Sequence, residues 1–183
     1  MAKAIIPAAL ADLARSLDAL PGIGPNAAAR LSRKLIHDAR LASELSAALA
    51  AAHAGIGLCE HCRSYTADDD CPVCDGNWIA GAVIQVVQLP EQIHDLKKAQ
   101  TVESNWFVLH GLLSPIDAIG PPQLGLDRLQ LKLQASPAPE RMDVILEDSV
   151  EARTTAYYLE TLAKRHGIPF RAQHIEGDLQ PRG

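Results

Sequence analysis

The chain has 183 residues, of which 48% are hydrophobic and 21% charged, and its formal net charge is -5. That balance is typical of a globular protein with one ordinary core, or one core and a small satellite. It excludes a broad basic surface of the kind that holds nucleic acid by charge alone, so any such contact must be local or shared among copies of the chain.

The first segment, about residues 8–54, is rich in alanine and leucine. Leu10, Leu13, Leu17 and Leu20 recur at helical spacing and stop at "PGIGP". A second helix is predicted from Pro25, with Ala28, Leu31 and Leu35 on one face and Arg30, Arg33, Lys34 and Arg40 on the remainder. A third helix, "LASELSAALAAAHA", runs into Gly55 and Gly57. The opening "AIIPAALADL" is too short and interrupted for a signal peptide, and no apolar run reaches the length of a membrane span. A cytosolic protein is therefore expected.

Next comes "GLCEHCRSYTADDDCPVC", which contains all four cysteines at a C-x2-C-x8-C-x2-C spacing. In a reducing compartment such pairs read as metal ligands before disulfides. Cys59, Cys62, Cys71 and Cys74 are the expected thiolate ligands of a structural Zn2+, because four protein ligands leave no open position for chemistry. His61 lies between two ligands and is read as solvent-facing or as a neighbour of the ion, ahead of the alternative that it replaces a ligand. The segment has few apolar side chains of its own, so the metal is expected to supply most of its folding free energy, on the order of 10 kcal/mol.

From Gly81 onward short β-branched runs alternate with helical stretches: "AVIQVVQ", "PEQIHDLKKAQ", "NWFVLH", the loop "GLLSPIDAIGPP", "LGLDRLQLKLQA", "MDVILE", "VEARTTAYYLETLAKRHG" and "IPFRAQHI". Alternation at this spacing implies a parallel sheet covered by helices. The final "EGDLQPRG" is polar and expected to be loose.

The hairpin "LPGIGPNAAARLSRKL" is a candidate nucleic-acid contact. Gly22 and Gly24 permit a tight reversal, and the amides at the start of the next helix can meet a phosphate. Asn26, Arg30, Arg33 and Lys34 follow on that helix and can extend the contact along a backbone. The pattern is similar to the helix-hairpin-helix motif, which binds DNA without reading its sequence.

Taken in order, "LPGIGPNAAAR", "CEHCRSYTADDDCPVC" and "FVLHGLLSPIDAIGPPQLGLDRL" resemble the RecR family of bacterial recombination mediators, over about residues 10–177. The resemblance implies an α+β protein with an α/β Toprim core. Its parts would be a helical helix-hairpin-helix region (1–57), a four-cysteine zinc finger (58–76), a Toprim-like α/β domain with a parallel sheet (77–177) and a short polar tail (178–183). It also implies a non-enzymatic, sequence-non-specific DNA-binding adaptor. Members form dimers or ring-like tetramers that can encircle DNA, and act with RecO and often RecF to load the recombinase RecA on single strands coated by SSB. The expected location is the cytoplasm and nucleoid of a bacterial or phage-infected cell.

This chain departs from the family pattern in several places. Asn26 stands where a basic residue is usual, and Gln88 where the first Toprim strand usually ends in glutamate. "EDSVEARTTA" is a shortened form of a longer loop, and the chain reads as a divergent relative abridged at its C-terminus. Toprim folds in primases, topoisomerases and nucleases hold Mg2+ with carboxylates at strand ends. Glu147, Asp148 and Glu151 are the candidates here, with Asp117 in the preceding loop. They read first as a polar helix start, then as an acidic surface for a basic RecO-like partner. The alternatives are a Mg2+-dependent nuclease and a decayed paralogue that only binds or modulates the repair partner.

Overall fold

The computed structural model describes residues 5–67, 71–99 and 103–175; the predicted tail at 178–183 lies outside them. The chain divides into two units, Met1–Gly55 and Ile56–Gly183. Among the described residues no helix is long and apolar enough to cross a membrane.

The first unit contains helices α1 (Ala8–Asp18), α2 (Pro25–His37) and α3 (Ala39–Gly55). Gly22, at φ 82°, turns the chain between α1 and α2, and Ile23 N–H donates to Leu20 C=O at 3.1 Å. Pro25 opens α2, where its missing N–H costs nothing. Asp38 ends one helix and starts the next: it accepts from Lys34 Nζ at 2.9 Å and from Leu41 N–H at 3.1 Å. The amide and then the ammonium hold its carboxyl below the usual range. The inner face of α2 is not quite the one its leucines predict. Ala28 and Ser32 are buried while Leu31 is exposed, and the Ser32 hydroxyl donates to Ala29 C=O at 3.1 Å. A small residue with its hydroxyl turned onto its own helix permits closer approach than leucine does.

The second unit opens with an antiparallel pair, β1 (Ile56–Leu58) and β2 (Tyr65–Ala67), where no strands are expected from the sequence. It continues as β3 (Ile84–Val87), α4 (Glu91–Ala99), β4 (Asn105–Val108), α5 (Leu126–Leu133), β5 (Met142–Glu147), α6 (Val150–Arg165) and β6 (Phe170–Ile175). The four longer-range strands form one parallel sheet in the order β4-β3-β5-β6. The chain steps one way from β3 to β4, then back across β3 to β5 and on to β6. Right-handed crossovers therefore put α4 on one face and α5 and α6 on the other.

Burial agrees with that division. Ile84, Val86, Phe107, Met142, Val144 and Leu146 pack with Leu126 and Leu129 of α5 and Leu159 and Leu162 of α6. On the opposite face Val87, Trp106, Val108 and Ile145 pack with Ile93 of α4 and with Cys59, Cys62 and Cys71. Ser149 caps α6, accepting from Ala152 N–H at 3.0 Å, as the "SVEA" start allows. Thr155 Oγ1 accepts from Leu113 N–H at 2.9 Å and so ties the loop after β4 to α6.

Leu159 is fully buried between α6 and the sheet. Leu159→Ala is expected to cost about 2–5 kcal/mol, read as a lower denaturation midpoint with an unchanged slope.

Candidate metal centre

Both cysteine pairs lie in turns of the same design. Arg63 N–H donates to Cys59 C=O at 2.9 Å, and Asp75 N–H donates to Cys71 C=O at 3.0 Å. The residue after the second cysteine of each pair is left-handed: Arg63 at φ 62° and Asp75 at φ 47°, followed by Gly76 at φ 70°. Each turn brings its two sulfurs to the same side, and β1–β2 pairing brackets the first of them.

The four sulfurs all lie within 4.8 Å of one another. The nearest approaches run between turns, Cys62 to Cys71 at 3.4 Å and Cys59 to Cys74 at 3.6 Å. A tetrahedron of thiolates around an ion with bonds of about 2.3 Å has edges of about 3.8 Å. The cluster therefore fits a tetrahedral divalent ion of zinc's size, and all four cysteines are free of disulfides. His61 is half-buried beside the cluster and is not part of that group.

The thiols differ in how readily they ionise. Burial acts to raise Cys59, but the N–H groups of Cys62 and His61, with the Cys74 and Cys71 side chains, together outweigh it and bring its pKa down to about 7. Burial pushes Cys62 strongly up and Cys74 up to about 11. A cation at the centre removes that conflict, because each sulfur is then bound as thiolate.

The cysteine segment does not stand apart from the sheet. Three of its cysteines belong to the apolar cluster with Val87, Ile93, Trp106, Val108 and Ile145. Burial against the sheet therefore contributes to holding the segment, beside whatever ligation supplies. Val108 N–H donates to Cys62 C=O at 2.8 Å, joining the first turn to β4. Asn105 clamps the far side: its amide donates to Ile79 C=O at 2.7 Å and accepts from Ile79 N–H at 2.8 Å.

Arg63 is the residue that sequence reasoning passed over. It is buried, donating from Nε to Val108 C=O and from Nη2 to Gln123 C=O, each at 3.2 Å, with its guanidinium 6.0 Å from the Phe107 ring centre. Burial, then Arg128, lowers its pKa. Its own carbonyl meets His110 Nε2, and the His110 ring lies 4.8 Å from that of Tyr65. His110 thus helps hold the turn. An arginine directly after a Cys-x-x-Cys pair was the available signal, but nothing local says that it points inward.

The structure places the other candidates apart from this centre. Gly22, Gly24, Asn26, Arg30, Arg33 and Lys34 are all exposed or half-buried on the helical unit. Asn26, Arg30, Arg33 and Lys34 fall on one face of α2 by their spacing, and no side chain caps the helix start at Gly24. Lys34 is paired with Asp38, whereas Arg30 and Arg33 have no ion pair among the described residues. Glu147 is half-buried at the end of β5, Asp148 pairs with Arg153 at 2.9 Å, and Glu151 is exposed in the first turn of α6. Asp117 accepts from Ser114 Oγ at 2.7 Å. Among the described residues, only the four cysteines gather closely enough to be a ligand group of three or more.

These features define a mixed α/β protein with a parallel sheet and a four-cysteine cluster able to hold a metal ion. The chain is 34% identical over 178 residues to recombination protein RecR of Desulfitobacterium hafniense strain DSM 10664 / DCB-2, covering 95% of this chain and 88% of that protein. It is 35% identical over 161 residues to recombination protein RecR of Methylococcus capsulatus, covering 87% and 81%. No family model matches it. The chain belongs to the RecR family.

Gly125, at φ 66°, opens α5 directly against Arg63, and a Cβ there would collide with the Arg63 guanidinium. Gly125→Ala is expected to destabilise by about 1–3 kcal/mol through backbone strain, and further by displacing the buried guanidinium. Gly57→Ala, where a Cβ meets nothing within 4 Å, is the control and is expected to change stability by less than about 0.5 kcal/mol. Denaturant unfolding of both variants measures the difference.

Proposed function

We propose that this protein is a zinc-stabilised, non-enzymatic DNA-binding adaptor for recombinational repair, which acts with a RecO-type partner, and in some settings a RecF-type one, to load a recombinase on single-stranded DNA. Family membership across 95% of the chain carries this reading. The four-cysteine cluster supports Zn2+ as its structural ion, held by Cys59, Cys62, Cys71 and Cys74. When bound, the ion fixes the two turns and supplies no open coordination site.

In this reading residues 1–57 are a helix-hairpin-helix region, 58–76 a zinc finger and 77–177 a Toprim-like domain. The uncapped start of α2 offers amides to a phosphate, and the Asn26–Arg30–Arg33 face follows the backbone beyond it. With so few cations on one copy, binding gains by placing several copies on one strand. Exposed Leu41, Leu45 and Leu49, at successive turns of α3, support self-association into a dimer or tetramer.

The Toprim-like domain serves as a rigid platform. Gln88 is neutral at the end of β3, and Asp148 is engaged by Arg153, which favours an acidic docking surface at Glu147 and Glu151 over a Mg2+ centre. An amide oxygen binds a hard cation more weakly than a carboxylate and cannot act as a general base.

Elemental analysis of the natively purified chain is expected to give one zinc per chain. Arg30→Ala with Arg33→Ala is expected to weaken binding to single-stranded and duplex DNA alike. The logarithmic salt slope should fall by about 1.4 on single strands and about 1.8 on duplex if each arginine neutralises one phosphate. Fluorescence anisotropy over a salt series measures this, and an unchanged slope places the contact elsewhere.

A further inference from the structure

Lys132 is a half-buried cation in need of an anion. It lies on α5, one turn after Arg128 and two turns after Gly125. Its ammonium sits 3.9 Å from the centre of the Trp78 ring, and Trp78 follows the second cysteine turn. Among the described residues no carboxylate lies within ion-pair distance of it, and no hydrogen bond reaches it. A lysine so placed loses hydration, and a ring face returns only part of that cost.

The charged groups that favour its ammonium are sulfurs. Burial pushes the Lys132 pKa down, Cys59, Cys74 and Cys62 in that order push it back up, and Arg128 lowers it. Geometry explains why α5 reaches the cysteines. Its start at Gly125 lies against Arg63, the residue after Cys62, and its last turn lies over Trp78, four residues after Cys74. The helix thus begins beside Arg63 and ends beside Trp78. A second cation approaches from the other face of the sheet, where Lys97 Nζ of α4 donates to Val73 C=O at 2.7 Å between Cys71 and Cys74. That lysine is already satisfied by a carbonyl, whereas Lys132 has only the ring and the sulfur field.

We propose that Lys132 is the counter-charge of the four-cysteine centre, held over Trp78 so that its ammonium offsets the double negative charge left when four thiolates bind one divalent cation. It is a positioning residue for the metal's electrostatics and touches no ligand atom. This rests on the reading of the cysteines as a metal centre. The charge and the aliphatic stem can be separated, because methionine keeps the apolar length over Trp78 and removes the ammonium, whereas arginine keeps the charge and can stack on the ring.

The test is metal release from the purified full-length chain into excess 4-(2-pyridylazo)resorcinol, after elemental analysis of each sample. Lys132→Met is expected to release metal about tenfold faster than wild type, as loss of a supporting group beyond the ligands typically does. Lys132→Arg is expected to match wild type, and the Lys132→Met difference is expected to narrow at high salt. If Lys132→Met does not yield folded protein, Lys132→Gln gives the same comparison with a neutral polar tip. Equal release from the neutral variant and wild type overturns the counter-charge alone, as does equally fast release from the neutral and arginine variants. A wild-type chain that carries no metal overturns both this assignment and the metal centre.

Discussion

Four sulfurs lie within 4.8 Å of one another, and the cysteines that carry three of them pack with Val87, Trp106, Val108 and Ile145, which ties the cysteine turns to the sheet. The cysteine turns cover one face of β3 and β4 where a doubly wound sheet would otherwise need a further helix. Their backbone is joined to β4 through the Cys62 carbonyl, and Asn105 of β4 holds Ile79, in the segment between the second turn and β3. A centre joined in this way can be held by two kinds of force. Apolar burial fixes the turns against the sheet, and a bound ion would fix the sulfurs relative to one another.

Arg63 extends the same constraint to the start of α5. Its left-handed backbone closes the first turn, while its side chain passes along Phe107 to the Gln123 carbonyl just before that helix. The glycine at 125 is required because the guanidinium occupies the space a Cβ would take. The strand order then accounts for what lies above. Reversal between β3 and β5 makes their carboxyl ends the switch point of the sheet, the place where open α/β sheets bind ligands. This chain puts a neutral Gln88 and a half-buried Glu147 at those strand ends.

Strands and helices after Gly81 were legible because each apolar run matches its period. "MDVILE" corresponds to β5 residue for residue, and "VEARTTAYYLETLAKRHG" contains the whole of α6. The cysteine spacing likewise pointed to one cluster. Three features were not legible, and each depends on distant partners. The β1–β2 pair is only three residues a side, too short for a periodic signal. Ser32 is buried where Leu31 was expected, because approach distance between helices, not hydropathy, decides that position. Arg63 and Lys132 look like ordinary surface cations, and only contacts with distant segments bury the first, against α5 and Val108, and half-bury the second over Trp78.

The same separation of paired from unpaired charge bears on the helical unit. Of the basic residues on α1, α2 and the start of α3, Arg15 pairs with Asp12, Lys34 with Asp38 and Arg40 with Glu44. Arg30 and Arg33 are left without an ion pair among the described residues, one turn apart and on the face that begins at Asn26. Exposed pairs of this kind contribute at most about 1 kcal/mol, so a phosphate can displace a carboxylate from any of them at little cost. Arg30 and Arg33 require no such exchange, and a phosphate that meets them gains its full counterion release. An acidic chain can thus carry a local cationic face, with its remaining cations held in reserve by neighbours one turn away on the same helix.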